Sequence, residues 1–132
     1  MLRKMLVPVV LALVLSTSPG FATTARYGHT DARSGVLKPG CHNYRYHWVI
    51  KNIPDDGWMI ETFLVDPDRQ MIASGAFGAP VDAKQDRKIF RFCRNVTRPG
   101  RFKIRAKLTW WEDGEKQIAW MKPSYFRLKR PR

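Results

Sequence analysis

The stretch "RFKIRAKLTWW", residues 101–111, alternates apolar and basic side chains with a period of two. Its apolar positions are Phe102, Ile104, Ala106, Leu108 and Trp110. Such alternation is typical of a β-strand with one face on a core and the other in solvent. The stretch therefore predicts a strand whose outer side carries a basic row, defined here as Arg101, Lys103, Arg105 and Lys107.

Other segments of the chain repeat this period. Alternation appears in "HNYRYHWVIKN" (42–52), "RKIFRFC" (87–93) and "SYFRLKR" (124–130). Turn-forming sequences separate the segments, among them Pro-Asp-Asp-Gly at 54–57, Pro-Gly at 99–100 and Asp-Gly at 113–114. Because no segment has helical periodicity of useful length, we expect an all-β protein, a single antiparallel β-sandwich of six to seven strands.

The N-terminus has the features of a cleavable signal peptide. A cationic "MLRK" precedes the mostly apolar "MLVPVVLALVLS" (5–16), and small residues follow. We predict a signal peptide over residues 1–25, cleaved after Ala22 or Ala25. A retained anchor is the alternative, disfavoured because the apolar run is short for a bilayer and contains Pro8. The protein is therefore expected to be secreted or extracytoplasmic.

Cleavage at either position leaves 107 to 110 of the 132 residues, enough for one domain. Residues 26–40 are polar and rich in turn formers, which predicts a loose N-terminal arm with one short edge strand near Gly35 to Lys38. Residues 41–130 contain the alternating segments and are predicted to form the sandwich domain. All five Trp and all four Tyr follow the signal and are available to its core.

The chain has two cysteines, Cys41 and Cys93. An even number in an exported chain predicts one disulfide, which would contribute about 3 to 4 kcal/mol by closing its loop in the unfolded state. A pair of reactive thiols or a metal site is the alternative. It is disfavoured because there is no C-x-x-C and no histidine at ligand spacing beside both cysteines.

The charge of the chain is strongly positive and unevenly distributed. The formal net charge of +13 becomes +11 when Arg3 and Lys4 leave with the signal. Residues 26–90 hold nine basic and eight acidic residues, a net of +1, whereas residues 91–132 hold thirteen and three, a net of +10. This asymmetry favours an anionic partner such as a nucleic acid, acidic glycan, teichoic-type polymer or lipid headgroup. The alternative is that the charge serves only solubility.

Residues 96–108, "VTRPGRFKIRAKL", resemble the T-x-P-G-x-[FY]-x-[IV]-x-[AV] stretch leading into the penultimate strand of small exported bacterial immunoglobulin-like and PKD-like domains. The resemblance implies an immunoglobulin-like sandwich in which Cys41 precedes the second strand and Cys93 ends the fifth. Those strands are antiparallel neighbours in that family, so the bridge would join one sheet. Antibody domains differ, because their bridge crosses between sheets.

No catalytic or metal-binding motif is apparent. His42 and His47 have opposite parity in an extended strand, which disfavours a shared metal or an acid–base pair. Neither a G-x-S-x-G elbow, a P-loop nor a calcium loop is present. We therefore expect no enzyme activity, no metal and no cofactor. A small secreted hydrolase or ribonuclease using one of these histidines is the weakest alternative.

The basic row is the candidate binding site. Four outward positions of one sign are unusual, because like charges repel and most surfaces mix signs. Trp111 has the same parity as the basic row and could stack on a sugar or base. A position in the core at the end of the strand is an equal alternative for this residue. Four further basic residues would extend the site if their strands neighbour the row: Arg91, Lys116, Arg127 and Lys129.

Two functions follow from this sequence. The first is an exported, non-catalytic binding module for an anionic polymer or the cell-envelope surface, with envelope glycan, teichoic-type polymer or nucleic acid as possible partners. The second is a protein-binding or structural accessory domain of the envelope, for which the row is only the solvent face of a strand.

Overall fold

The computed structural model describes residues 22–132, which form two β-sheets packed face to face. The strands are β1 (Thr23–Thr24), β2 (Gly28–Asp31), β3 (Gly35–Val36), β4 (Cys41–Ile50), β5 (Met59–Val65), β6 (Met71–Gly78), β7 (Gln85–Cys93), β8 (Gly100–Glu112), β9 (Glu115–Met121) and β10 (Ser124–Lys129). One 3₁₀ turn, Arg94–Val96, follows β7. Residues 1–21 of the predicted signal peptide lie outside the described residues. From residue 22 onward, no helix is long and apolar enough to cross a membrane.

The larger sheet, sheet A, has seven strands arranged around β8. One edge of β8 pairs with β5, which pairs in turn with β6. The other edge pairs with β9 and β10 in succession, so these two strands lie end to end along β8. The short strands β1 and β3 add to β9 and β10 in parallel. The smaller sheet, sheet B, has the order β2-β4-β7 and is antiparallel throughout.

The all-β prediction is confirmed. Seven strands have six residues or more, β4 to β10, and four of them, β4, β7, β8 and β10, correspond to the alternating segments of the sequence. In β8 the apolar positions of the opening stretch are all at most 3 % exposed. The inward side of this strand therefore supplies the centre of the core, and the basic row lies on the opposite side.

Aromatic rings from both sheets fill the space between them. Tyr46 stacks on Phe90 within sheet B, with ring centroids 4.0 Å apart. Phe92 of sheet B lies 5.9 Å from Phe102 of sheet A, which lies 5.5 Å from Phe126. Each such ring stabilises the fold by about 1.5 to 3 kcal/mol when fully buried. This small domain therefore depends on aromatic packing for its stability.

The arm at residues 26–40 is more ordered than the sequence predicts. Within it, β2 pairs with β4 of sheet B, and β3 pairs with β10 of sheet A. Leu37 is completely buried, and its amide donates to the Lys129 carbonyl at 2.8 Å. The short edge strand predicted near Gly35 corresponds to β3, whereas β2 was not predicted, because the segment has few apolar residues and its pairing depends on edges supplied by distant strands.

The predicted disulfide joins Cys41 and Cys93. The two residues are directly opposite each other in the antiparallel β4–β7 ladder. The bridge therefore ties neighbouring strands of one sheet rather than crossing between sheets. It closes sheet B at the end where both strands meet the loops, and the Arg94 amide donates to the Gly40 carbonyl beside it at 3.0 Å.

Candidate ligand-binding face

The basic row lies on the outer face of sheet A, away from the core. Arg101 is exposed, and Lys103, Arg105 and Lys107 are half-buried by their neighbours on the sheet. Since alternate residues on a strand are about 6.6 Å apart, the row spans about 20 Å. It forms a straight line of cationic groups along the central strand of the sheet.

Strands β9 and β10 extend this row sideways. Arg127 is directly opposite Arg101, and Lys116 is directly opposite Trp111. Lys129 follows Arg127 on the same side of β10, where it is exposed. Three of the four additional basic residues predicted for this face therefore lie on it.

Arg91 does not lie on this face, because its strand does not neighbour β8. It belongs to β7 in sheet B, opposite Asn43, and its Nη1 donates to the Asn43 Oδ1 at 3.1 Å. Its alternation with Phe90 and Phe92 correctly places it outside the core. The sequence does not show which sheet contains its strand. The outer faces of the two sheets lie on opposite sides of the molecule.

Two aromatic rings support the arginines of the row. The guanidinium of Arg101 lies 4.5 Å from the ring centre of Tyr125, and that of Arg105 lies 4.6 Å from the ring centre of Trp120. A cation over a ring gains about 0.5 to 1 kcal/mol at an exposed site. These contacts place both guanidinium groups over aromatic rings of the same sheet.

An open groove of about 830 Å³ runs over this part of the face. Three members of the basic row line it, Arg101, Lys103 and Arg105. The remaining lining residues are Thr23, Val65, Asp66, Pro67, Arg69, Met71, Trp120, Met121, Pro123 and Tyr125. The groove thus combines cationic groups with apolar and aromatic surface.

Carboxylates neutralise little of the row. Within residues 22–132, Lys107 is the only member with a carboxylate partner, its Nζ lying 3.7 Å from Oε2 of Glu61. Asp66 also lines the groove, but it is 4 % exposed and accepts from the amides of Asp68 and Gln70 and the hydroxyl of Thr97. The three members of the basic row in the groove therefore act together on an approaching anion, and Arg69 adds a fourth positive charge.

Trp111 is exposed over 47 % of its surface and does not belong to the core. Trp110 is the buried member of the pair, and its indole N–H donates to Glu112 at 2.8 Å. Trp111 does not line the groove and lies six residues beyond Arg105, about 20 Å along the strand. The structure thus does not bring it together with the three members of the basic row in the groove.

The groove also contains residues that the sequence analysis missed. Trp120 and Tyr125 lie under the arginines, and Arg69 and Met71 form part of the opposite wall. The sequence pattern indicated an outward position for two of them, because Trp120 has the same parity as Ile118, and Tyr125 has the same parity as Arg127. It could not be used without knowing that β9 and β10 both pair with β8.

The histidines occupy the other sheet. His42 donates from Nε2 to the Pro39 carbonyl at 2.7 Å. His47 donates from Nδ1 to Oδ2 of Asp31 at 3.0 Å, and Nε2 of His29 lies 3.6 Å from the same oxygen. We refer to these three residues as the His29–Asp31–His47 cluster. This cluster could not be predicted from the spacing of histidines along β4, because the β2–β4 pairing creates it.

No protein-family model, curated protein or solved structure matches the chain.

Proposed function

We propose that this protein is an exported, non-catalytic binding module that holds an anionic polymer along the basic row. The observation that carries the proposal is a groove lined by three members of the basic row, Arg101, Lys103 and Arg105, that have no carboxylate partner within residues 22–132. Unpaired cations on one strand repel one another. A bound polyanion would relieve this repulsion.

The shape of the face suits an extended polymer. The cations repeat about every 6.6 Å along β8, so a linear chain with regularly spaced negative groups could contact several of them together. The groove offers ring surface beside these charges, at Trp120 and Tyr125. Apolar faces of sugar rings or bases can pack on such rings. We therefore favour an acidic glycan, teichoic-type polymer or nucleic acid over a small anion.

The disulfide supports a secreted or extracytoplasmic location, because such bonds persist in oxidising compartments. The predicted signal peptide also supports a secreted or extracytoplasmic location. The polymer would then be one that is present in the envelope or outside the cell.

Retention on heparin across a salt gradient tests the proposal, with a neutral glycan resin as reference. The groove variant changes Arg101, Lys103 and Arg105 to Ser. A matched control changes Arg45, Arg87 and Arg91 on the outer face of sheet B to Ser, which removes the same net charge. Far-UV circular dichroism and urea unfolding check that both variants are folded.

We expect the groove variant to elute at clearly lower salt than wild type and the control to elute near wild type. By analogy with single-stranded nucleic acids, three lost contacts should reduce the slope of log affinity against log salt by about 2. Equal losses in both variants would mean that only total charge matters and would contradict a defined site. Hydrolysis of RNA or glycan that disappears in His42→Ala or His47→Ala would contradict the non-catalytic part of the proposal.

A second function, protein binding, is favoured by a separate observation. Met59, Thr109 and Ile118 lie side by side in register on the outer face of sheet A, and Trp111 follows next to them. Met59, Ile118 and Trp111 are 36 %, 49 % and 47 % exposed. Exposed apolar clusters of this kind are typical of protein contacts. Binding of an envelope protein that resists salt and is lost in Ile118→Ser, with heparin retention unchanged, would support this second function.

A further inference from the structure

We propose that the His29–Asp31–His47 cluster binds one divalent transition-metal ion of the class that imidazole ligands prefer, such as Zn²⁺ or Cu²⁺. The cluster lies on the outer face of sheet B, whereas the basic row lies on that of sheet A. The proposal therefore stands independently of polymer binding.

Strand pairing brings the three side chains together. Asp31 is directly opposite His47 in the β2–β4 ladder, and His29 is two residues before Asp31, so all three point to one side of the sheet. The Asp31 Oδ2 lies between the two rings, 3.0 Å from Nδ1 of His47 and 3.6 Å from Nε2 of His29. The imidazole rings themselves are 6.3 Å apart.

These separations are close to those of a coordination shell. Zinc bonds of about 2.0 to 2.1 Å at tetrahedral angles place neighbouring ligand atoms about 3.3 Å apart. One ligand atom from each residue lies within 4.8 Å of the other two. The side chains of His29 and Asp31 are 57 % and 58 % exposed, so both can rotate to close the remaining gap. Three protein ligands would leave one position open to water or another molecule.

The donor set selects the class of metal. Two imidazoles and one carboxylate suit zinc, copper and nickel, whereas calcium and magnesium prefer sites made of oxygen. Both cysteines are in the disulfide, so within residues 22–132 no free thiolate competes for the ion. The general order of affinities predicts tighter binding of Cu²⁺ than of Zn²⁺.

The surroundings of the cluster limit its affinity. A hollow of about 360 Å³ beside Asp31 and His47 is also lined by Arg33, Arg45 and Arg87. These cations repel a metal ion, but they would favour an anionic group at the open coordination position. We therefore expect micromolar binding that tightens when a small anion such as carbonate is present.

Isothermal titration of Zn²⁺ and Cu²⁺ into the purified, untagged protein at neutral pH tests the proposal. The protein is first stripped with chelator, and Mg²⁺ serves as the reference ion. The cluster variants are His29→Ala, His47→Ala and Asp31→Asn. The matched control is His42→Ala, which removes a histidine of the same sheet outside the cluster.

We expect one ion per chain for wild type and His42→Ala, and at least tenfold weaker binding for His29→Ala and for His47→Ala. Zinc should also shift the imidazole NMR signals of His29 and His47 while leaving those of His42 unchanged. This readout remains valid if one variant folds poorly. Absence of wild-type binding, or equal affinity in a folded His29→Ala/His47→Ala protein, would overturn the proposal and leave the cluster as an Asp31–His47 hydrogen bond.

Discussion

The two outer faces of this sandwich carry charge in different ways. On sheet A, the only ion pair that the cations of β8, β9 and β10 make within residues 22–132 joins Lys107 to Glu61 of β5. On sheet B, His47 contacts the carboxylate of Asp31, and Arg91 donates to the side-chain oxygen of Asn43. At the rim of the sandwich, Lys88 lies 2.9 Å from Asp82, whose hydrogen bond and charge raise the pKa of the lysine. Contacts within sheet B thus engage only part of its charge, whereas the groove of sheet A places three cations of a single strand in one line without a carboxylate partner within residues 22–132.

This difference separates structural charge from charge available to a ligand. A paired cation must give up its partner before it binds another anion, which reduces the gain in free energy. An unpaired cation gives up only water and counterions. Net charge alone would treat the two faces as equivalent surfaces, whereas the arrangement of the cations distinguishes them, because Arg101, Lys103 and Arg105 of one strand share a groove. The following changes test the distinction.

The largest expected effect comes from the disulfide, which belongs to sheet B alone. Changing Cys41 and Cys93 to Ser should lower the free energy of unfolding by about 3 to 4 kcal/mol, because the unfolded chain loses a closed loop. Urea unfolding measures the loss. If the faces are independent, the variant that remains folded should keep its elution position on heparin. A large shift in elution without unfolding would mean that sheet B positions the groove.

The next effect concerns Tyr46, which joins the two sheets. Its hydroxyl hydrogen bonds to that of Thr62 at 2.8 Å, and both residues are buried. Tyr46→Phe leaves the Thr62 hydroxyl without this partner and should reduce stability by about 1 to 2 kcal/mol at neutral pH. A loss near zero would show that the hydroxyl of Thr62 is satisfied elsewhere, for example by the Gly75 carbonyl.

The same residue gives a pH dependence with a defined sign. Burial raises the pKa of Tyr46 from 10.0 to about 12. Between these values the unfolded chain releases the proton and the folded chain keeps it, so stability falls as the pH rises. The wild type should therefore lose about 2 to 3 kcal/mol relative to Tyr46→Phe between pH 9 and pH 12. Parallel urea curves across this range would contradict burial of the hydroxyl.

The strands could be predicted from sequence because period-two alternation directly reflects one buried side. The Asp113-Gly114 and Pro99-Gly100 turns also mark strand ends reliably. Strand order could not be predicted, because it depends on pairings between distant segments. Arg91 and Arg127 have similar local patterns, yet they lie on opposite faces of the molecule. The proximity of His29 and His47 could not be predicted for the same reason.

A smaller effect is expected for Trp111, which lies beyond the groove. A long single-stranded nucleic acid can reach from the groove to this ring, whereas a short one seated in the groove cannot. Trp111→Ser should weaken binding of the long strand by about 1 kcal/mol, roughly fivefold, through lost stacking. Fluorescence titration with both lengths measures this. Equal weakening for both lengths would place Trp111 within the primary site.

The smallest effect is expected at Glu61, the carboxylate beside Lys107. Glu61→Gln should free this lysine and raise the salt concentration needed for elution from heparin, with a gain below about 1 kcal/mol as for exposed ion pairs. Lys107→Ser should accordingly reduce the affinity for heparin less than Arg105→Ser does. A larger loss for Lys107→Ser would mean that pairing does not decide which cations bind.

Cleavage at either predicted position would alter the short strand β1, which lies beside the groove. Thr23 pairs with Trp120 and lines the groove, and the Lys122 amide donates to the Thr24 carbonyl at 3.1 Å. Cleavage after Ala22 would keep this strand and create a new α-amino group at Thr23, largely protonated at neutral pH. Cleavage after Ala25 would remove β1 altogether. Processing after Ala22 would thus add a cation at the edge of the groove that the precursor lacks, so that the mature protein would bind anions more tightly than the precursor.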